Sequence, residues 1–450
     1  MGDEFGEDDS FLADLGKSRV QIRCDFDDLF LPPSGVPPPG EHDFHIHTDP
    51  TAKIPHHQPY RMTQSERNEF EVQIKKLLEK GWVMDSHSRY AAPIIFVKTQ
   101  DATLEMCVDY RGLNSITTND RYPLPYIKDL LDKLHGACVF TKLDLASRYH
   151  QVQIHPDDCH ETPFIAPDGF YEYKVIPFGL AITPAAFMSM MQKILHPHRR
   201  NSIVYVDDVL IFSKTLAEHK TYVEGVLQAL RNAQLDLSEA KCLFGTLETS
   251  FVGFRVNRHG IHTEEKKIQA VRDWPTPKMP TELRGFLGLA GYYRKFVPKF
   301  AHWAHLLYDL ASKPKSEYVW TSRNADQFKD LKEALISSPV LATLDPDTHF
   351  ILRTDVSDTA IGGILAQKQM FEGRLVEWPM GYFSRKLHRV EARYPAYDQE
   401  LLAISANLEH WICYVHGQKR TTIYTDPALL QHILGQNKLT RHQWRHLDRL

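Results

Sequence analysis

The chain has 450 residues, 42% hydrophobic and 24% charged, with a formal net charge of −4, which predicts two or three ordinary globular domains and excludes collagen-like and wholly disordered classes. No apolar run is long enough to cross a bilayer, and no basic-then-apolar leader opens the chain. The expectation is an intracellular protein, cytoplasmic or nuclear, with no membrane partner and no secretion.

The first fourteen residues carry Asp3, Glu4, Glu7, Asp8, Asp9 and Asp14 and no Lys or Arg, which reads as a disordered acidic tail. Pro32-Pro33 and Pro37-Pro38-Pro39 follow, so residues 1–55 are expected to be tail and linker. Thr63 with Glu66 predicts a capping box and a helix through Phe70, Val72, Ile74, Leu77 and Leu78, stopping near Gly81. Strands are predicted at 94–97 and 105–109, a helix at 127–134, and strands at 140–143 and 150–154. Thr183-Pro184 opens a helix through Phe187, Met191 and Ile194. An apolar hairpin at 203–212 precedes a helix at 216–233. Trp274-Pro275-Thr276-Pro277 marks a break, with helices at 281–289 and 324–337 beyond it. The last unit reads as strands 349–356, 361–368 and 374–384, a helix 395–416, a strand 420–425 and a short helix 428–434. This mixture predicts α+β domains rather than a doubly wound sheet. The expected boundaries are 56–260, 261–323 and 324–450.

Six cysteines lie far apart, with no CxxC pair, as free thiols in a reducing compartment would. The 24 histidines show no H-E-x-x-H or C₂H₂ spacing, and His155, His160, His196 and His198 read as surface residues. Between Arg255 and Lys299 stand ten Lys/Arg against four Asp/Glu. A basic surface of that kind suits phosphate contacts even in a near-neutral chain.

Two carboxylate groups carry the chemistry. In Tyr205-Val206-Asp207-Asp208, two acids interrupt an apolar, β-prone run. The expected geometry is a hairpin with both aspartates at its tip. Asp144 closes another apolar strand and is the candidate third acid. Carboxylates converging on a rigid support suit two Mg²⁺ ions about 4 Å apart. Alone, an Asp-Asp turn is more often merely solvated. The second group is Asp355 at a strand end, Glu400 on a helix with Ile404, Leu408, Trp411 and Val415 on roughly its own face, and Asp426 closing the next strand. A carboxylate in line with an apolar stripe is costly unless paired or metal-bound. The alternative is that Glu400 snorkels to water.

The ordered set Met106–Asn114, Asp120–Pro125, Lys142–Gln151, Pro177-Phe178-Gly179-Leu180, Tyr205-Val206-Asp207-Asp208 and Phe286–Ala290 resembles gypsy-type LTR-retrotransposon polyproteins over about residues 44–450. The resemblance implies a right-hand reverse transcriptase (fingers, palm, thumb) followed by an RNase H-like domain. It implies Asp144, Asp207 and Asp208 as polymerase carboxylates, and Asp355, Glu400 and Asp426 as those of RNase H. Each site would hold two Mg²⁺ ions, with Mn²⁺ able to substitute. Tyr149 would exclude a ribose 2′-hydroxyl. Phe178, Gly179, Tyr205 and Lys98 would serve the nucleotide. Phe251 and Gly253 would grip the primer, and Lys266, Lys267 and Arg284 the duplex. The implied partners are an RNA template, a DNA primer, an RNA–DNA hybrid and deoxynucleoside triphosphates.

Departures from the family pattern predict impairment. Glu105, Leu104 and Ala102 stand where the family has Arg, Trp and Gly, Arg148 replaces a Gly, and Glu161 replaces a Lys. An anion where a cation should meet triphosphate is expected to slow nucleotide use, unless Lys98 or Arg111 compensates. The family's fourth RNase H acid would fall beyond Leu450, and Asp448 is a poor substitute, so hybrid cleavage is expected to be weak or absent. A decayed or domesticated copy that binds nucleic acid without efficient catalysis is the rival reading. An unrelated metal-dependent phosphatase would explain one acidic cluster but not the ordered motifs.

Overall fold

The computed structural model describes residues 9–31, 33, 35–37, 40, 43–98, 103–118, 122–371, 373–416 and 420–426. It divides into two compact units, one running to Leu130 with Cys138–Leu247, the other taking Leu131–Ala137 and continuing from Glu248. The expected helix 428–434 and Asp448 lie outside the described residues, as do Thr99–Ala102.

The first unit holds a four-stranded sheet in the order Ser202–Tyr205, Asp208–Ser213, Val139–Asp144, Leu243–Thr246, each neighbour antiparallel. Val209, Leu210 and Ile211 are all buried, so this strand reads as a continuous apolar run rather than an alternation. The helix Leu216–Asn232 starts at the Thr215 cap and buries Val223, Val226, Leu227 and Leu230 in one core with Val209 and Ile211. Those helix positions recur at three to four residues, as one face requires. His219 of the same helix reaches the sheet, its ring nitrogens 2.7 Å from Thr141 Oγ1 and 3.0 Å from Ser213 Oγ.

A five-stranded sheet in the same unit has the order Val83–Asp85, Gly169–Tyr173, Phe164–Ala166, Ala92–Lys98, Leu104–Val108. The helix Gln64–Glu79 carries the expected capping box. Phe70 and Ile74 are buried, whereas Val72 and Leu78 are exposed, so the apolar stripe is narrower than the sequence suggests.

Two expectations fail in this unit. Residues 1–55 are not simply tail and linker. A helix spans Asp9–Asp25, and Ile22, Phe26, Leu29, Phe44 and Ile46 belong to the core. The spacing 22, 26, 29 gives one apolar edge, and Arg231 holds it from outside, stacked 4.3 Å from the Phe26 ring and bonded to Asp28. The strand expected at 150–154 is instead a 3-10 turn, Arg148–Gln151, followed by isolated bridges at Gln153 and Ile154. Ser147 adopts φ +53, which turns the chain, and the Gln151 amide bonds to the Ala146 and Asp236 carbonyls in place of a ladder.

The second unit begins with a three-stranded antiparallel sheet, Glu248–Phe251, Phe254–Asn257 and Gly260–Thr263. Helices follow at Glu265–Arg272, Pro280–Tyr292, Phe300–Ala311 and Ser322–Ile336. The three strands and the helices at 265–272 and 300–311 were not legible, because each is short or lacks a strong cap. The final sheet has the order Arg374–Lys386, Ala360–Phe371, Phe350–Val356, Thr421–Tyr424. Its last pair is parallel, so the helix Ala396–His410 is the crossover that such pairing needs. That helix ends earlier than expected, with Trp411 as its cap and a separate turn at Ile412–Val415. It approaches the sheet closely: a Cβ on Gly363 would lie 1.7 Å from Asn407 Oδ1.

Burial of His219 makes stability pH-dependent. Its pKa falls to about 4 in the fold, against about 6.5 in the unfolded chain. The unfolded state therefore binds the proton first. The stabilising contribution is complete above about pH 6.5 and is lost as pH falls toward 4. The whole shift corresponds to roughly 3 kcal/mol. Burial also lowers His150 to about 4, so it adds a parallel contribution. Urea unfolding at about pH 7.5 and pH 5 should show this loss, and His219→Gln should remove about half of it. An unchanged pH slope in the variant would overturn the assignment.

Candidate active sites

Tyr205 pairs with Asp208 around a two-residue turn of Val206 and Asp207. Asp207 is therefore at the tip, while Asp208 already begins the returning strand. Val206 adopts φ +55, a conformation that a β-branched residue resists. Its N–H donates to Met188 Sδ at 2.8 Å, which fixes the turn against the helix Thr183–Ile194. On the other side of the returning strand, Asp144 is paired directly with Asp208. Directly opposed residues share a face of the sheet. The expected convergence of Asp144 with the hairpin is thus present. Burial pushes the Asp208 pKa up, Lys142 opposes that shift, and Asp207 and Asp144 add to it.

Two cations that the sequence reading missed complete this cluster. Lys142 Nζ lies 3.0 Å from Asp208 Oδ1, and Lys241 Nζ lies 3.6 Å from Asp144 Oδ1. Lys142 was findable, since a residue two before Asp144 on a strand shares its face. Lys241 arrives from a distant turn and left no local signal. Asp144 Oδ1 is buried with no hydrogen-bond partner. Such an oxygen, with two further carboxylates beside it, fits a hard divalent cation such as Mg²⁺ or Mn²⁺.

Tyr149 stands edge-on to Phe178 and to Phe187, with centroids 5.6 and 5.5 Å away. Phe178 is exposed, and the following Gly179 adopts φ +102. Asn114 clamps this loop by donating to Gly179 O at 2.8 Å and accepting from Ala181 N–H at 2.9 Å. A Cβ on Gly179 would meet Val108 O at 3.0 Å, so glycine is required there twice over. Tyr205 is half-buried, and Lys98 is exposed where it pairs with Leu104. Glu105 is exposed and lines a cavity of about 240 Å³ with Lys76, Lys80, Trp82, His150 and Phe178. Glu161, expected near the same pocket, is instead buried and accepts from Thr48 at 2.9 Å. Arg111 is engaged by Asp109 at 2.6 Å.

In the second unit, Phe251 corrects an expectation. Its side chain is fully buried, so it supports the hairpin and cannot grip a primer. Val252 and Gly253 form the turn, at φ +47 and +76, and two tyrosines secure it. Tyr292 Oη–H donates to Val252 O, and Tyr293 Oη–H to Gly253 O, both at 2.8 Å. Lys266 and Lys267 are exposed on the first turn of Glu265–Arg272. Arg284 is exposed on Pro280–Tyr292, with one nitrogen 3.3 Å from Ala311 O.

The second carboxylate group also comes together. Arg353 pairs with Tyr424 in the parallel ladder, so Asp355 and Asp426, each two residues on, stand level at the strand ends. Glu400 enters from the crossover helix, half-buried, with Thr425 Oγ1 donating to it at 3.4 Å. Burial raises the Glu400 pKa, and Asp355 and Asp426 raise it further. Glu400 therefore does not simply snorkel to water. Lys299 Nζ lies 3.1 Å from Asp355 Oδ2. Three hard oxygen donors again fit Mg²⁺ or Mn²⁺.

Residues 100–256 match the family model of reverse transcriptase (RNA-dependent DNA polymerase), and residues 320–423 that of the RNase H-like domain found in reverse transcriptase. The Tf2-3 and Tf2-7 transposon polyproteins of Schizosaccharomyces pombe are each 37% identical over 346 residues, 77% of this chain. The alignment covers 26% of each relative, so the chain spans about a quarter of the length of the curated proteins it matches. A foamy viral protease-reverse transcriptase in complex with dsDNA superposes with a TM-score of 0.86 at 21% identity, over 97% of this chain and 91% of that one. The same viral protein with an RNA/DNA hybrid gives 0.75 at 20% identity, over 97% and 59%. At that identity the likeness establishes the fold, a right-hand polymerase with an RNase H-like domain. Among the described residues, no helix is long and apolar enough to cross a membrane. The chain belongs to the gypsy-type LTR-retrotransposon polyproteins, of which it carries the reverse transcriptase and RNase H-like domains.

Proposed function

We propose that the chain is an RNA-directed DNA polymerase acting by two-metal nucleotidyl transfer, with hybrid-directed RNA cleavage in its last domain. The observation that carries this is the cross-strand pairing of Asp144 with Asp208 beside the Asp207 tip, together with the buried Asp144 Oδ1, which accepts no hydrogen bond and has the Lys241 ammonium 3.6 Å away. Residues 56–260 would supply fingers and palm, 261–323 the thumb or connection, and 324–450 the RNase H-like domain. Asp144, Asp207 and Asp208 would hold Mg²⁺, as would Asp355, Glu400 and Asp426. Bound there, such ions supply Lewis-acid activation of the primer 3′-hydroxyl or water and neutralise the leaving oxygen.

The chain's own residues prepare the reaction. Lys142 and Lys241 balance the clustered carboxylates. Tyr149, held between Phe178 and Phe187, presents a fixed wall against a ribose 2′-hydroxyl. Gly179 lets the backbone carry Phe178 beside the nucleotide without a clash. Lys266, Lys267 and Arg284 offer cations for the phosphates of a primer–template duplex. Foamy viral relatives of the fold bind dsDNA and an RNA/DNA hybrid, which supports the same partners here. An RNA template and deoxynucleoside triphosphates complete the reading. The setting would be intracellular, in a virus-like particle or the nucleus.

A second reading, a copy with impaired catalysis, is favoured by Glu105. It shares a cavity with Phe178, where a triphosphate would meet repulsion. A unit-charge pair at about 4 Å and an effective dielectric near 20 is worth roughly 4 kcal/mol before screening. Lys76 and Lys80 line the same cavity and offset part of this.

Asp207→Asn should cut primer extension by about 10³-fold or more, because metal stabilisation is worth several kcal/mol. Template binding, read by anisotropy, should change little. Parallel loss of binding would make Asp207 a structural residue. Glu105→Arg should lower the apparent nucleotide KM in steady-state incorporation. If the natural chain already extends primers efficiently and this variant leaves KM unchanged, the impaired-copy reading is wrong. Glu400→Gln should abolish whatever cleavage of an RNA–DNA hybrid the natural chain shows while leaving extension intact. Hybrid cleavage that survives this change would dissociate Glu400 from the second site.

A further inference from the structure

Neither carboxylate site accounts for a third cluster of metal-ligating side chains. Phe44 and Ile154 form an isolated parallel bridge. Phe44 N–H donates to Gln153 O at 2.8 Å, and His155 N–H donates to Phe44 O at 2.9 Å. The next residues on each strand, His45 and His155, are thereby set side by side, their rings stacked with centroids 4.4 Å apart. The chain then turns, Asp158 N–H donating to His155 O at 2.8 Å, which brings a carboxylate back to the pair. Asp158 Oδ2 lies 2.9 Å from His45 Nδ1 and accepts from Ile46 N–H at 3.2 Å. One ligand atom from each of His45, His155 and Asp158 lies within 4.8 Å of the others.

We propose that His45, His155 and Asp158 form a site for a borderline divalent transition metal, Zn²⁺ foremost, that fastens the segment around Phe44 to the polymerase domain. The donor set separates it from the two catalytic clusters. Oxygen-only ligands suit Mg²⁺, whereas two imidazoles and one carboxylate suit zinc. Zinc–ligand distances of about 2.0–2.1 Å in a tetrahedron put ligand atoms about 3.4 Å apart. All the ligand atoms lie within 4.8 Å of one another, so no pair has to close by more than about 1.4 Å. His45 and His155 have side chains 48% and 35% exposed, so both rings have room to move. Asp158, 19% exposed and tied to the Ile46 backbone, is the fixed point. The fourth position has space, because His45 also lines a cavity of about 430 Å³ with Asp43, His47 and Lys193.

The bland alternative is a solvated His–Asp pair that merely decorates a loop. It makes no demand for metal. What speaks for a built site is that its two histidines are 110 positions apart in the sequence yet are placed in register by backbone hydrogen bonds. On either side, Phe44 and Ile46 are buried, so a metal there would clamp a segment that already contributes to the core.

The test uses the full chain, stripped of metal and titrated with ZnCl₂ in excess Mg²⁺ by calorimetry, with thermal unfolding in parallel. One tight Zn²⁺ equivalent and a rise in Tm are expected, since a ligand of the folded state stabilises it. His45→Gln and His155→Gln should each remove that equivalent and the Tm rise. Asp158→Asn should weaken binding by at least the roughly tenfold that loss of an outer-shell partner costs. His196→Gln, which is not among the three ligands, should behave as the parent. If the natural chain takes up no Zn²⁺ below millimolar concentration, or if both histidine variants retain the equivalent, the proposal is overturned. Should a variant fail to fold, Co²⁺ absorption of the natural chain decides: a spectrum of low-symmetry nitrogen–oxygen coordination supports the site, and that of the hexaaqua ion overturns it.

Discussion

Placing two carboxylates directly opposite one another on neighbouring strands is the constraint around which the first unit is organised. Opposed side chains on an antiparallel pair stand about 5 Å apart at Cβ. Two negative charges there repel by roughly 3 kcal/mol at an effective dielectric near 20. Asp144 and Asp208 hold this position because the strands that carry them are locked elsewhere. Val209, Leu210, Ile211, Leu143 and Phe140 are all buried, and their burial outweighs the local repulsion. Lys142 and Lys241 then lower its cost, each reaching one of the two acids. The strained Val206 belongs to the same logic. A tight turn delivers Asp207 to the pair, and the Met188 contact holds it there.

The RNase H-like domain solves the same problem with a different sheet. A parallel pair aligns Asp355 with Asp426 in one step of register, and the crossover helix that such pairing demands supplies Glu400. The helix must sit close to the sheet for its carboxylate to arrive. Gly363 permits that approach, and the buried Asn407 amide secures it by donating to Gly362 O and Ala403 O at 3.1 and 2.7 Å. In both domains a costly cluster of charge is maintained by a rigid apolar scaffold, and in both the burial shows as a raised carboxyl pKa, at Asp208 and at Glu400. A carboxyl so placed has a strong electrostatic incentive to accept a cation.

Glu105 and Glu161 show that two departures from a family pattern need not have the same consequence. Both were expected to disturb nucleotide binding. Glu105 is exposed in a cavity with Phe178, where its charge acts on whatever enters. Glu161 has turned inward to Thr48 and belongs to the packing of the N-terminal segment. Substitution alone does not say where a charge will point.

The sequence by itself determined the elements whose signal is local. The capping box at Thr63, the Pro at the start of Thr183–Ile194, the apolar hairpin and the order of acidic motifs were all readable, because cap chemistry and short continuous apolar runs act within a few residues. The cluster of Asp144, Asp207 and Asp208 was legible for the same reason, each closing or interrupting an apolar strand. What only the tertiary structure decided depends on partners far away in the chain. Phe251 was read as a duplex contact but is a core residue. Lys241 reaches Asp144 across 97 positions. The N-terminal segment was read as tail from its acids and prolines, yet Ile22, Phe26 and Phe44 find apolar partners that only the folded sheet provides. His155, read locally as a surface histidine, becomes the neighbour of His45 through one backbone bridge. Burial and long-range pairing are properties of the assembled core, and no window of sequence contains them.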